Sequence, residues 1–431
     1  MTERAVLGNR PSPAVADAPR FCLKLAMRLD PPPAATKVVF PAATIIPLTA
    51  ALFAVLPFST DVYLTTMVDL GREFGVAVAG VQRTLISFTL GFGLAHLAIG
   101  RIADRFGRRP TALAGLALYV AASALAIAAP TLGALVAARF LQGLAAATGP
   151  ILCRTIIRDA APPDQAGRWL AKNGAYLGLA PLTAPLIGAL LASLGGWRAA
   201  LAFLVVYGAA LLVAAWLRLP ETRPAAYGDA PNLPILRTLA ELLRHRAFVA
   251  AAAALASGYG MLLTWLSTSA FLLIGELGLT KPQASAVYAL GSGAYLGGSL
   301  VGVRLSRSLS ATTILRIAGP LLLLGAAAPA LALAEGVRHW AVILVCVAPF
   351  YCGWGLGQPM AIAIAMRPFA RMAGQASAWL GLIQQLGGIL FSLIAAALGG
   401  GMATPLVMAG AALAFIASAA AIPQSPARRT G

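Results

Sequence analysis

The sequence is short of charge, and above all of acid. Only 11% of its 431 residues are charged, and 14 Asp and Glu stand against 32 Lys and Arg. A soluble globular chain carries roughly 25% charged residues, so a string of soluble domains is excluded. Histidine occurs three times, too few and too scattered for a metal site or a His-centred catalytic triad. The four cysteines, Cys22, Cys153, Cys346 and Cys352, show neither metal-ligand spacing nor a disulfide framework. No G-x-x-x-x-G-K-[ST] run is present, which excludes drive by a P-loop within this chain. Gly291-Ser292-Gly293 with Gly297 lies inside an apolar run, without a strand-to-helix context, and reads as helix packing rather than a dinucleotide loop. With no nucleophile, base and orienting acid in evidence, the chain is expected to be no enzyme and to hold no metal or organic cofactor.

What fills the sequence is apolar. Hydrophobic residues make up 59% of it and the mean hydropathy is +0.83. Twelve apolar runs follow one another, over 41–66, 82–101, 110–130, 132–153, 169–193, 198–219, 247–275, 284–304, 312–334, 338–366, 374–399 and 402–422. Each is close to the roughly 20 residues that cross a bilayer as a helix. Gly is frequent within them and lets helices approach closely. Pro57, Pro181, Pro185 and Pro359 predict kinks or breaks. The fold class is therefore an all-α integral membrane protein of twelve transmembrane helices, six over 41–219 and six over 247–422.

The net charge of +18 would suit nucleic acid if the cations were clustered, but they sit in short gaps between apolar runs. All but six of the 32 Lys and Arg lie on the tails and the even-numbered loops. The odd loops hold only Arg72, Arg198, Lys281 and Arg338, while Arg83 and Arg139 fall inside spans. The positive-inside bias then puts both termini in the cytoplasm and makes the lipid bilayer, not nucleic acid, the expected partner. Residues 1–40 read as a disordered cytoplasmic tail, with Met27 a second candidate start, and 423–431 as another tail. Residues 220–246 read as a cytoplasmic linker. Its second part, from Ile235 to Arg246, places Leu236, Leu239, Leu242 and Leu243 on one helix face, as a helix lying on the inner membrane surface or packed on the loops would. Gly100-Arg101-Ile102-Ala103-Asp104-Arg105 closes the second span, and Gly302-Val303-Arg304-Leu305-Ser306-Arg307 closes the eighth, which hints at related halves.

Scarcity of charge makes its exceptions informative. Asp61 is the one acid well inside an apolar run, and an intramembrane carboxylate is costly enough to be a functional candidate by default. Arg139 is the deep cation. Each lies about seven residues from the same surface, about 10 Å deep, so an Asp61–Arg139 ion pair is expected; a purely structural pair is the plain alternative.

Gly100-Arg101-Ile102-Ala103-Asp104-Arg105-Phe106-Gly107-Arg108-Arg109 resembles the signature loop of the major facilitator superfamily, G-x-x-x-D-R-x-G-R-R, between spans two and three. Arg139-Phe140-Leu141-Gln142-Gly143 resembles the family's R-x-x-Q-G motif. Ala180 to Ala189, with Pro185 and Gly188, resembles its antiporter motif, although Ala180, Ala184 and Ala189 replace glycines. Ser59 to Leu64, Arg154 to Asp159, Leu219 to Thr222 and Ala373 to Ala378 narrow the likeness to the Bcr/CflA drug-resistance branch of proton-driven exporters. The chain departs from that branch at Thr65 and His96.

The resemblance implies the major facilitator fold, two six-helix bundles around a central cavity, with alternating access in the cell inner membrane by a functional monomer. The proton would be the coupling ion and small, largely apolar drugs the substrates, phenicols or bicyclomycin being the nearest themes. It implies proton coupling at Asp61 and Arg139, helix packing at Pro185 and Gly188, and a conformational latch at Gly100, Asp104, Arg105, Gly107, Arg108 and Arg109. Candidate drug contacts are polar and aromatic residues of the central spans: Tyr63, Gln142, Asn173, Tyr176, Trp265, Trp354, Gln384 and Gln385. A metabolite carrier and a non-transporting membrane sensor remain open on the sequence.

Overall fold

The computed structural model describes residues 40–162, 165–177, 179–223 and 234–423. Residues 1–39 and 424–431 of the tails and 224–233 of the linker lie outside the described residues. From Phe40 onward the chain forms one compact unit. The described residues are mostly helical, without a strand among them. In a solvent that cannot satisfy backbone N–H and C=O groups, helices satisfy them internally.

The first half comprises α1 (Ala42–Leu64), the short α2 (Met67–Phe74), α3 (Val78–Phe106), α4 (Arg108–Ile127), α5 (Leu132–Ala146), α6 (Thr148–Ala160), α7 (Ala166–Leu177) and α8 (Leu179–Arg218). After α9 (Ile235–Leu243), the second half comprises α10 (Arg246–Ala270), α11 (Lys281–Leu305), α12 (Ala311–Ala334), α13 (Trp340–Met366), α14 (Ala373–Ala397) and α15 (Thr404–Ala421). The helix of α10 widens into a π-type turn over Phe271–Glu276.

Eleven helical stretches among the described residues are long and apolar enough to cross a membrane, against the twelve apolar runs of the sequence. The difference lies in Ala166–Arg218, one stretch of 53 residues where the sequence suggests two spans. At 1.5 Å per residue it would be about 80 Å long, far more than the roughly 30 Å hydrocarbon core. It bends at Gly195 and Gly196, whose backbone is not helical; Gly196 has φ of 64°, a region open to glycine at little cost. The two limbs of α8 flank α1 in opposite directions. Before the bend, Gly188 lies against Val62. After it, Phe203 and Tyr207 pack on Phe58, and the Tyr207 hydroxyl donates to the Ala51 carbonyl at 2.7 Å. The bend is fastened by Glu73 of α2, which accepts from Trp197 Nε1 and from Arg198, both at 2.6 Å. These bonds, the Trp197 indole first, hold the Glu73 carboxyl below its ordinary range.

Small residues set the helix spacing. A side chain at Gly91 of α3 would overlap the Phe140 carbonyl of α5, and one at Gly143 of α5 would overlap the Phe88 carbonyl of α3. The second half repeats this reciprocity: Gly298 of α11 abuts Cys352 of α13, and Gly355 of α13 abuts Tyr295 of α11. The halves meet along two helix pairs, α3 with α14 and the first limb of α8 with α11. Gly188 stands where a Cβ would overlap the backbone of Val62, next to Asp61. Gly188→Val is therefore expected to lower the thermal unfolding temperature in detergent by an overpacking cost of about 1–3 kcal/mol. Gly410→Ala, in open space, should leave the temperature unchanged. Equal melting of both variants would show that this contact is loose.

Candidate functional site

The deep cation is held by a neutral cage rather than by an acid. Arg139 of α5 is fully buried. One guanidinium nitrogen donates to Gln142 Oε1 at 2.5 Å and the other to the Ser59 carbonyl of α1 at 3.0 Å. The guanidinium lies 4.5 Å from the centre of the Tyr63 ring and 4.6 Å from that of Phe88, a desolvated geometry in which each cation–π contact contributes appreciably. The cage continues outward. Gln142 donates to Ser123 at 2.7 Å, Ser123 to the Tyr119 carbonyl at 2.7 Å, and the Tyr119 and Ser59 hydroxyls are 2.6 Å apart. The Tyr63 hydroxyl pairs with Thr84 at 2.8 Å.

The expected Asp61–Arg139 ion pair is absent from this state. Equal depth was the basis for it, but depth is only half of the geometry. Residues two apart on a helix point about 200° from each other, so Ser59 and Tyr63, four apart, share the face toward Arg139, and Asp61 between them points elsewhere. Asp61 is half-buried and accepts from Thr60 Oγ1 at 2.7 Å. It lies close enough to Tyr259 of α10, Tyr288 of α11 and Tyr351 of α13 to act on all three electrostatically. The acid of the first half thus lies within electrostatic range of tyrosines from three helices of the second. The three tyrosines stand in apolar runs of the sequence, but they belong to three different helices, which a linear reading does not bring together.

The other candidates divide by exposure. Tyr63 and Gln142 are sealed within the cage. Asn173 is buried, and its amide donates to the Ile46 carbonyl and Thr49. Trp265 is fully buried, and Trp354 packs over Gly258 and beside Phe415. Gln385 of α14 is buried against Gly93 of α3 and Gln384 is half-buried. Tyr176 is open, beside a groove between α1 and α8 that includes Ala54 and Phe58. Pro185 and Gly188 lie in the limb of α8 against α1, where Ala184 joins Val62. His96 bonds to the Phe92 carbonyl at 2.9 Å and lies where a side chain at Gly381 of α14 would reach it.

The signature stretch is less a loop than a helix junction. The helix of α3 runs on to Phe106, α4 begins at Arg108, and only Gly107, with φ of 103°, separates them. Gly100 is not part of the turn; it lies within α3. Arg108 is completely buried and joins Asp104 at 2.6 Å to Asp159 at 3.0 Å. Glu221, after α8, caps α4 by accepting from the backbone N–H of Arg108 at 2.9 Å and of Arg109 at 3.2 Å. Arg109 also donates to the Trp216 carbonyl, and the Arg105 carbonyl accepts from Arg223. In this state the contacts of Arg108 with Asp104 and Asp159 fasten α3, α4 and α6 of the first half to one another.

At the opposite end of the molecule the halves are latched together. Lys281, at the start of α11, donates to Asp69 of α2 at 2.6 Å, and Gln82 of α3 donates to Ser267 of α10 at 3.4 Å. Sequence reading assigned no role to Asp69 or Lys281, because 212 residues separate them. Both side chains are about a quarter exposed, so the pair contributes about 1 kcal/mol or less. Lys281→Ala is expected to raise the labelling rate of a cysteine introduced by Gln82→Cys about fivefold, the population shift that 1 kcal/mol gives. An unchanged rate would show that the pair does not hold this end closed.

The sequence profile of the Major Facilitator Superfamily matches residues 49–392. Multidrug resistance protein D of Escherichia coli (strain K12) is 31% identical over 347 residues, which are 80% of this chain and 86% of that protein. Multidrug resistance protein MdtL of Escherichia coli O45:K1 (strain S88 / ExPEC) is 28% identical over 357 residues, 81% of this chain and 87% of that protein. Among solved structures, a D-xylose-proton symporter superposes with a TM-score of 0.70 at 14% identity, over 86% of this chain and 97% of its own. That likeness is one of fold.

Proposed function

The chain belongs to the major facilitator superfamily, and from that premise we propose that it exports small, largely apolar drugs in exchange for protons. The observation that carries this reading is the placement of Asp61. It is the one acid well inside an apolar run, half-buried, and set on α1 beside Val62, where Gly188 of α8 packs. An intramembrane carboxylate is tolerated where it binds and releases a proton or pairs with a cationic substrate group. Arg139 acts as a positioning residue: its bond to the Ser59 carbonyl and its stacking on Tyr63 fix the turn of α1 that carries Asp61.

Counting the two limbs of α8 separately gives twelve crossings, so both termini lie on one side. The abundance of Arg in the even loops makes that side the cytoplasm and the inner membrane the location. The Asp69–Lys281 latch then closes the periplasmic end. The cycle is a rocking of two bundles about the α3–α14 and α8–α11 contacts. Asp61 takes a proton when the periplasmic end opens and yields it when drug binds from the cytoplasm. Tyr259 and Gln384, both half-buried, supply drug contacts, the tyrosine with little rotamer entropy to lose, and the protein works as a monomer.

Expression in a strain lacking its own pumps is expected to raise tolerance to several small apolar antibiotics, phenicols and bicyclomycin among them. Cells that gain tolerance to none, yet accumulate or expel an amino acid or nucleoside, would replace drug export by metabolite transport.

A further inference from the structure

A groove of about 640 Å³ runs beside Arg246, the first residue of α10, and continues over Val249 and Ala253 of that helix and Ala417 and Ala421 of α15, with Leu243 of α9 at its rim. Its walls are apolar with two exceptions. The Ser418 hydroxyl is committed to the Ala414 carbonyl at 2.7 Å. Arg246 is exposed and, among the described residues, no carboxylate pairs with it. Arg244 and Arg237 of the same region are also exposed. From Arg246 to Ala253 the groove extends about 10 Å along α10, most of the depth of one hydrocarbon leaflet. A cation at one end and an apolar channel of leaflet depth at the other match an amphiphile with an anionic head.

We infer that this groove binds an anionic glycerophospholipid, its phosphate on Arg246 and an acyl chain along Val249, Ala253 and Ala417. The family membership supplies only the membrane; the orientation proposed above supplies the leaflet, and the lipid class follows from the groove alone. Binding there bears on the second half. Leu243 and Arg246 frame α9, which is tied to α14 by Thr238 to Gln375 at 3.1 Å and by Trp379 Nε1 to the Ile235 carbonyl at 3.2 Å. A seated lipid therefore holds the linker helix against the helix that packs on α3.

Native mass spectrometry of the delipidated full chain, offered phosphatidylglycerol, phosphatidylethanolamine or inorganic phosphate, tests this without regard to transport or orientation. Phosphatidylglycerol is expected to be retained about fivefold more strongly than phosphatidylethanolamine, the effect of one basic residue at an anionic head group. Arg246→Gln should remove that preference, and Ala417→Leu, which crowds the groove from an exposed position, should weaken retention of both lipids. Arg304→Gln, an exposed arginine elsewhere, should change nothing. Equal retention of the two lipids by the unaltered chain, or a preference that survives Arg246→Gln, overturns the proposal. So does phosphatidylglycerol retention unaffected by Ala417→Leu, or inorganic phosphate retained as strongly as phosphatidylglycerol.

Discussion

Asp61→Asn is expected to abolish drug-induced proton release in energised inverted vesicles while the protein still inserts and still binds drug. Asn keeps the size of the side chain and its ability to accept from Thr60, but it cannot carry a proton between the two sides. Because both terminal guanidinium nitrogens of Arg139 bond to Gln142 and the Ser59 carbonyl and the group stacks on two rings, with only Nε left without a partner, loss of the Asp61 charge removes no bond to Arg139. The folded state should therefore melt within about 0.5 kcal/mol of the unaltered protein, as a change outside the main destabilising mechanisms does. Proton release that persists in this variant would remove Asp61 from the coupling mechanism. A large loss of stability would instead mean that Asp61 and Arg139 pair in the ensemble in solution.

Arg108→Ala should be among the most destabilising single changes in the chain. Its guanidinium is inaccessible, and the Asp159 side chain it holds is only 4% exposed. Removing one partner of a buried pair costs about 3–5 kcal/mol, and here it leaves Asp159 only the exposed Arg158 at 3.6 Å. The pattern of rescue identifies the cause. Arg108→Met with Asp159→Leu, which removes both charges, should recover most of the stability. Asp104→Asn should cost about 1 kcal/mol or less, since Asp104 is half exposed. Thermal unfolding in detergent distinguishes these outcomes. If Arg108→Ala melts like Asp104→Asn, Asp159 is solvated and the junction is not a buried network.

The glycine at the junction and the acid inside the membrane were both visible in the sequence, for the same reason. A turn of one residue between two long helices demands a backbone that only glycine adopts freely, and Gly107 has φ of 103°. A carboxylate inside an apolar run is rare because it is costly, and Asp61 stood out on that ground. The Asp61–Arg139 pair failed because sequence gives depth, at 1.5 Å per residue, without the azimuth at which two helices meet. The drug candidates show the same gap. Tyr63, Gln142 and Asn173 are polar residues in central spans, yet each is bonded to a neighbouring helix. Polarity inside a membrane reports that a partner is needed, not whether the partner is a substrate or the protein.

Composition and the period of apolar runs determined by themselves that this chain is a bundle of membrane helices, because the bilayer imposes one length and one backbone hydrogen-bonding solution on every segment. Charge counts along the loops pointed to the orientation for a similar reason, since each loop answers to the membrane independently of the others. Only the tertiary structure decided which side chains meet: the cage around Arg139 and the latch between Asp69 and Lys281. Those contacts depend on helix rotation and on the close approaches that Gly91, Gly143 and Gly188 permit, and packing between distant segments fixes both.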